Sequence, residues 1–214
     1  MQNSGYLIVL KPSIVIGKFE EGIRERGFAE EYKKFREVFS KFKINQYYGI
    51  SRNPLMCIPE KISSEYSIIP EPEAQFFMWE LEENGLCQDD LIFSYEDMVR
   101  TFNKIKNIND YDVIFIRKVS FENNDNLMGF DIGYWGGDHF SIIADTIITP
   151  TWHGPQEEDY LELAERLKSL NENLLFGTSK EAEKFKQYYK SKTWAETESY
   201  EGEFCVIQVD KVSL

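Results

Sequence analysis

Cysteine is scarce in this chain, and Cys57, Cys87 and Cys205 are widely spaced, odd in number and without a CxxC pair. That pattern excludes a zinc ribbon or a thioredoxin-like site and points to free thiols in a reducing compartment. Cys205 sits in the apolar run Phe204–Ile207 and reads as a buried thiol, not a nucleophile. Long hydrophobic runs are missing as well. The stretch Tyr6–Leu10 stops at Lys11-Pro12, too short for a signal peptide or a membrane span, and the expectation is a cytoplasmic protein with no membrane partner. Positive charge is in deficit: 24 Lys and Arg face 37 Asp and Glu, a net charge of −13. Such a balance argues against nucleic acid as a partner. The lysines of the last helical stretch, Lys180, Lys184, Lys186, Lys190 and Lys192, read as a solvated face diluted by Glu181 and Glu183. No nucleophile elbow, P-loop, dinucleotide fingerprint or HExxH motif occurs, so no catalytic residue, cofactor or metal is assigned.

Apolar material is plentiful, with 42% hydrophobic and 15% aromatic residues. The 214 residues contain no linker and no repeat, and the reading is one α+β domain over 1–214. Helices are expected over Arg24–Lys43, Ser94–Ile108, Gln156–Asn171 and Ser179–Lys192. The first carries Phe28, Tyr32, Phe35, Phe39 and Phe42 at helical spacing and reads as a core stripe. Ser94 with Asp97, and Thr178 with Glu181, stand at capping-box spacing. Tyr6–Gly17 suggests one or two short strands, Gln46–Ser51 a further one, and Pro54–Pro72 irregular chain. Ala74–Leu81 fits a short helix or a buried strand equally well. Strands over Asp112–Val119, Met128–Trp135 and Phe140–Ile148 suggest an antiparallel meander around 112–148, with terminal strands completing a sheet packed against the four helices.

Gly129–Pro155 is dense in glycine and tryptophan and holds both histidines, His139 and His153. A three-residue loop at Gly136-Gly137-Asp138 would place Phe130, Ile132, Tyr134, Phe140, Ile142 and Ala144 on one face. Asp131, Gly133, Trp135, His139, Ser141, Ile143 and Asp145 then form the second face. His139 would lie about 13 Å from the Asp131 level, too far for joint metal ligation. Asp131, Asp145 and His153 are the alternative catalytic set, for a small hydrolase using paired carboxylates and a histidine. Trp135, His139, Trp152 and His153 have instead the composition of a recognition surface.

Acidity is concentrated. Between Leu55 and Met98, eleven acids stand against Lys61 alone. Glu80, Glu82, Glu83, Asp89 and Asp90 are its densest part, a field suited to docking a basic protein.

The wording of Gly129 to His153, continued by Leu161-x-Leu163-Ala164-Glu165-x-Leu167, Asn171-Glu172-Asn173 and Tyr188-Tyr189-Lys190-Ser191-Lys192-Thr193-Trp194-Ala195-Glu196, resembles a family of small bacterial cytosolic proteins without an assigned activity. The resemblance spans roughly the C-terminal 40% of the chain and brings no catalytic residue with it. In general character the chain is similar to immunity proteins of bacterial toxin systems. That likeness implies a non-enzymatic protein that neutralises a basic toxin through an acidic surface.

Overall fold

A computed structural model describes residues 2–11, 72–88, 91–118, 125–135, 157–171, 173, 175–193, 195 and 202–214. In chain order these form β1 (Ser4–Leu10), α1 (Pro72–Glu83), β2 (Cys87–Gln88), β3 (Leu91–Ile92), α2 (Tyr95–Phe102), β4 (Tyr111–Lys118), β5 (Leu127–Trp135), α3 (Glu157–Arg166), α4 (Ser179–Lys190) and β6 (Glu203–Lys211). The strands make one six-stranded sheet in the order β2-β3-β1-β4-β6-β5, with every pairing antiparallel. The architecture is α+β, as expected.

The order within the sheet corrects the expected meander. β4 and β5 follow each other in sequence but are not neighbours, because β6 lies between them. β6 pairs Arg117 with Gln208 on one side and Phe130 with Gln208 on the other. The physical reason is burial. β6 reads Cys205-Val206-Ile207-Gln208-Val209-Asp210, and all six side chains are buried. A strand enclosed on both faces gains most from an interior position.

The expected helices after Ser94, Gln156 and Ser179 are present, whereas Arg24–Lys43 and Gln46–Ser51 lie outside the described residues. The Ser94 hydroxyl oxygen accepts from the Asp97 backbone N–H at 3.1 Å, and Thr178 does the same for Glu181 at 3.2 Å. α2 ends at Phe102, short of the expected Ile108, because the chain tightens there through Lys104 N–H to Thr101 and Ile105 N–H to Phe102. Ile105 is nonetheless buried. The ambiguous segment 74–81 lies within helix α1. Gly85 terminates that helix with φ 67°, while its N–H bonds the Glu82 carbonyl and the Leu86 N–H bonds the Leu81 carbonyl. This pair of hydrogen bonds closes a helix around a left-handed glycine.

Register divides the sheet into two faces. On one, Ile8, Cys87, Ile92, Tyr111 and Val113 pack with Met78 and Leu81 of α1 and Met98 and Phe102 of α2. Farther along the same face, the Tyr134 and Phe204 ring centroids lie 5.0 Å apart, and Phe204 meets Tyr189 of α4 at 5.8 Å. Between the two helical groups lies a polar seam, where Arg117 pairs with Asp210 and Gln208 donates to Asp210 at 3.0 Å. The opposite face gathers Leu7, Val9, Ile114, Ile116, Ile207 and Val209, all buried, with Leu175 against them.

Candidate functional site

Helix α1 carries a surface that differs from the rest of the described molecule. At 100° per residue, Met78 and Leu81 point inward and are buried, with Phe77 partly so. Glu73, Phe76, Trp79, Glu80 and Glu83 then fall together on the outward side, and Glu82 flanks them. Phe76 is 60% and Trp79 51% exposed. Two large aromatic side chains three residues apart, standing in solvent and rimmed by carboxylates, have the make-up of a recognition patch.

The carboxylates there are set against their own helix. The last turn of α1 has no basic residue and ends Glu80-Leu81-Glu82-Glu83. Negative charge at a helix C-terminus opposes the partial negative charge of the terminal carbonyls. Elsewhere many of the described acids are ion-paired, Glu96 and Asp97 with Arg100, Glu165 with Lys168, Glu183 with Lys186, Glu203 with Lys118 and Asp210 with Arg117, while Asp110, Asp112, Asp125 and Glu181 stand singly at scattered positions. Glu73 faces Lys106 at 3.8 Å. Glu80, Glu82 and Glu83 make no ion pair with any described residue. The site is therefore an exposed aromatic pair inside an uncompensated negative field.

The other expected site residues fare differently. Asp89 and Asp90, and His139, Asp145, Trp152 and His153, lie outside the described residues. Trp135 is corrected from surface to core: it is 2% exposed, its indole N–H donates to the Gln2 carbonyl at 2.9 Å, and it packs in the apolar face with Cys205 and Ile207. β5 is enclosed on both sides, so alternation moves Trp135 to a second interior and not to solvent. Asp131 shares that interior at 0% exposure, and its Oδ1 accepts from the Ile132 N–H at 2.7 Å. A carboxylate enclosed in this way lacks the solvent path that acid–base chemistry on a substrate needs.

Both described cysteines, Cys87 and Cys205, are buried thiols, and burial pushes the Cys205 thiol up to about 11. A thiol so protonated at neutral pH is a poor nucleophile. Among the described residues no cluster of His, Cys, Asp and Glu is arranged to hold a metal, and no helix is long and apolar enough to cross a membrane.

Phe76 and Trp79 are the residues that sequence reasoning missed. Their neighbours Phe77 and Met78 make the run look uniformly apolar, and only a helical assignment of the segment would have exposed them. Comparison with protein-family models, with curated proteins and with solved structures finds no significant match.

Proposed function

We propose that this protein is a non-enzymatic binder of a basic protein, docking it on the outward face of α1, in the manner of an immunity or inhibitor protein. The observation that supports the reading is the coincidence, on one helix face, of exposed Phe76 and Trp79 with the unpaired Glu80 and Glu83. The carboxylates speed encounter with a positively charged partner, and the aromatics supply desolvated contact once it has arrived. Asp89 and Asp90, a few residues on, extend the same negative stretch of sequence.

The two roles separate kinetically. Reversal of Glu80, Glu82 and Glu83 to lysine should slow association and flatten its salt dependence. Trp79→Ala should leave association nearly unchanged and speed dissociation by about tenfold or more. The test is copurification at low salt from the native host with wild type and both variants, followed by binding kinetics on the basic protein recovered. A stoichiometric basic partner lost in the variants is the expected result. A partner retained equally by wild type and variants would place the docking surface elsewhere.

A further inference from the structure

β4 ends at Lys118, which pairs with Ile207, while β6 runs on to its own beginning at Glu203. Beside that overhang, between α4 and β6, the protein has an open groove of about 590 Å³. Val206 lies at its base, where the β6 backbone passes on to Cys205, and its walls include Lys118, Lys180, Glu183, Lys184 and Lys186. In a molecule of net charge −13, a groove lined by these lysines against the single carboxylate of Glu183 is a local reversal of sign.

The lysines are not equivalent. Lys118 pairs with Glu203 and Lys186 with Glu183 at 2.9 Å, so carboxylates already occupy two of the four. Lys180 and Lys184, one helical turn apart and both exposed, make no ion pair or hydrogen bond with any described residue. The pattern is an apolar floor between two neutralised lysines and two free ones.

We propose that this groove binds an extended acidic segment of a protein partner, with glutamate or aspartate side chains on Lys180 and Lys184 and an intervening apolar side chain on Val206 and the lysine stems. Charge complementarity selects the acidic class, since Lys118 and Lys186 already hold carboxylates while Lys180 and Lys184 stand exposed without one among the described residues. The floor selects a chain with apolar side chains over a bare polyanion, because inorganic phosphate would leave Val206 and the lysine stems uncovered. Among the described residues the lining contains no aromatic ring to stack on nucleobases. The site is on a different helix from the α1 surface and stands or falls independently of it.

The probe is a fluorescent peptide of about eight residues alternating glutamate and valine, long enough to span the groove when extended. Anisotropy titration into the full-length protein should show saturable binding that weakens with salt. Lys180→Glu together with Lys184→Glu should weaken it by about tenfold or more, through lost attraction and added repulsion. Both side chains are exposed, and an unchanged thermal midpoint shows that the variant is folded. Lysine in place of glutamate in the peptide should abolish binding. Val206→Thr, which keeps the shape but makes the floor polar, should weaken binding severalfold without changing its salt dependence. No saturation at millimolar peptide, equal binding to the charge-reversed variant, or displacement by inorganic polyphosphate at equal concentration would each overturn the proposal.

Discussion

Gly129 shows how one residue holds β5 to the segment that follows α3. Its φ is 148°, and a Cβ placed there would stand 2.7 Å from the Leu175 Cβ and 2.8 Å from the Phe176 carbonyl oxygen. The register of β5 against β6 shifts between Leu127 and Gly129, and Asn171 donates to the Met128 carbonyl at 2.7 Å to hold that bulge. Gly129→Ala should therefore destabilise by strain and collision together, on the order of 1–3 kcal/mol. Gly85 is the internal control. Its φ of 67° also disfavours a side chain, but nothing lies within 4 Å of its Cβ position. Gly85→Ala should cost only the conformational part, about 1 kcal/mol. Thermal unfolding of the two variants should rank Gly129→Ala as the less stable. A second prediction at this scale concerns Cys205, whose thiol is buried and raised to about 11. In a Cys57→Ser, Cys87→Ser background it should resist alkylation at pH 8 in the folded protein and react on unfolding. Rapid labelling of the native state would show the site to be open.

Among the elements, α3 and α4 are tied by one side chain. Lys192, just beyond α4, donates to Asp159 at 3.1 Å and to Glu162 at 2.7 Å, both on α3. The same ammonium lies 4.8 Å from the centre of the Tyr188 ring, and the Arg166 guanidinium lies 5.0 Å from it. The hydrogen bond from Lys192 holds the Glu162 carboxyl below its ordinary value, and Glu162 in turn holds the Lys192 ammonium above its own. A depressed carboxylate contributes stability that is present above its unfolded pKa and lost as pH falls through the folded one. A raised ammonium contributes stability present below its unfolded pKa and lost as pH rises through the folded one. Burial raises Tyr188 as well, which adds to the alkaline loss. The tie should thus hold from about pH 5 to about pH 10 and weaken outside that window. Lys192→Met should lower the thermal midpoint at pH 7. Below about pH 4 its difference from wild type should shrink as Glu162 protonates. A difference independent of pH would mean that Lys192 acts through packing alone.

The same scale shows what the sequence makes legible. Helix starts were readable because a cap is a local event: Ser94 needs only Asp97, and Thr178 only Glu181. Helix α1 was not readable, because Phe76 and Trp79 face outward and erase the apolar periodicity that Met78 and Leu81 alone would have shown. The carboxylates of the candidate site were visible as charge, while its aromatics were hidden as apparent core. Trp135 failed in the opposite sense, since alternation along a strand identifies two faces but not which of them meets water. A test of the α1 reading follows from its exposure. Trp79→Ala should leave stability within about 0.5 kcal/mol of wild type, as expected for a surface side chain. Loss of several kcal/mol would return Trp79 to the core.

For the molecule as a whole, the central fact is that the last strand in sequence lies inside the sheet. Arg117 and Asp210 pair across 93 residues, and Tyr6 stands opposite Phe115 in β1 and β4. Strand neighbours so distant in sequence cannot be inferred from local patterns, which is why the apolar run Phe204–Ile207 is legible in the sequence and its place in the sheet is not. They also make folding slow, because chain closure must precede the contacts that reward it. Removing residues 203–214 would strip β4 and β5 of their shared partner at once. Ile114, Ile116, Phe130 and Ile132, buried in the complete chain, would lose the strand that pairs with them. The unpaired edges of β4 and β5 would invite association between chains. The truncated protein should therefore show no cooperative thermal transition and should aggregate at micromolar concentration. Substituting Ile207→Asp in the full chain tests the same point without shortening it. Ile207 is wholly buried between Lys118 and Asp131 in the sheet. Its replacement puts an unpaired charge beside the enclosed Asp131 carboxyl and should cost about 3–5 kcal/mol, enough to abolish the folded state of a marginally stable domain. A cooperative transition surviving in both variants would mean that β1, β4 and the helices fold without β6, and that the terminal strand docks onto a sheet already formed.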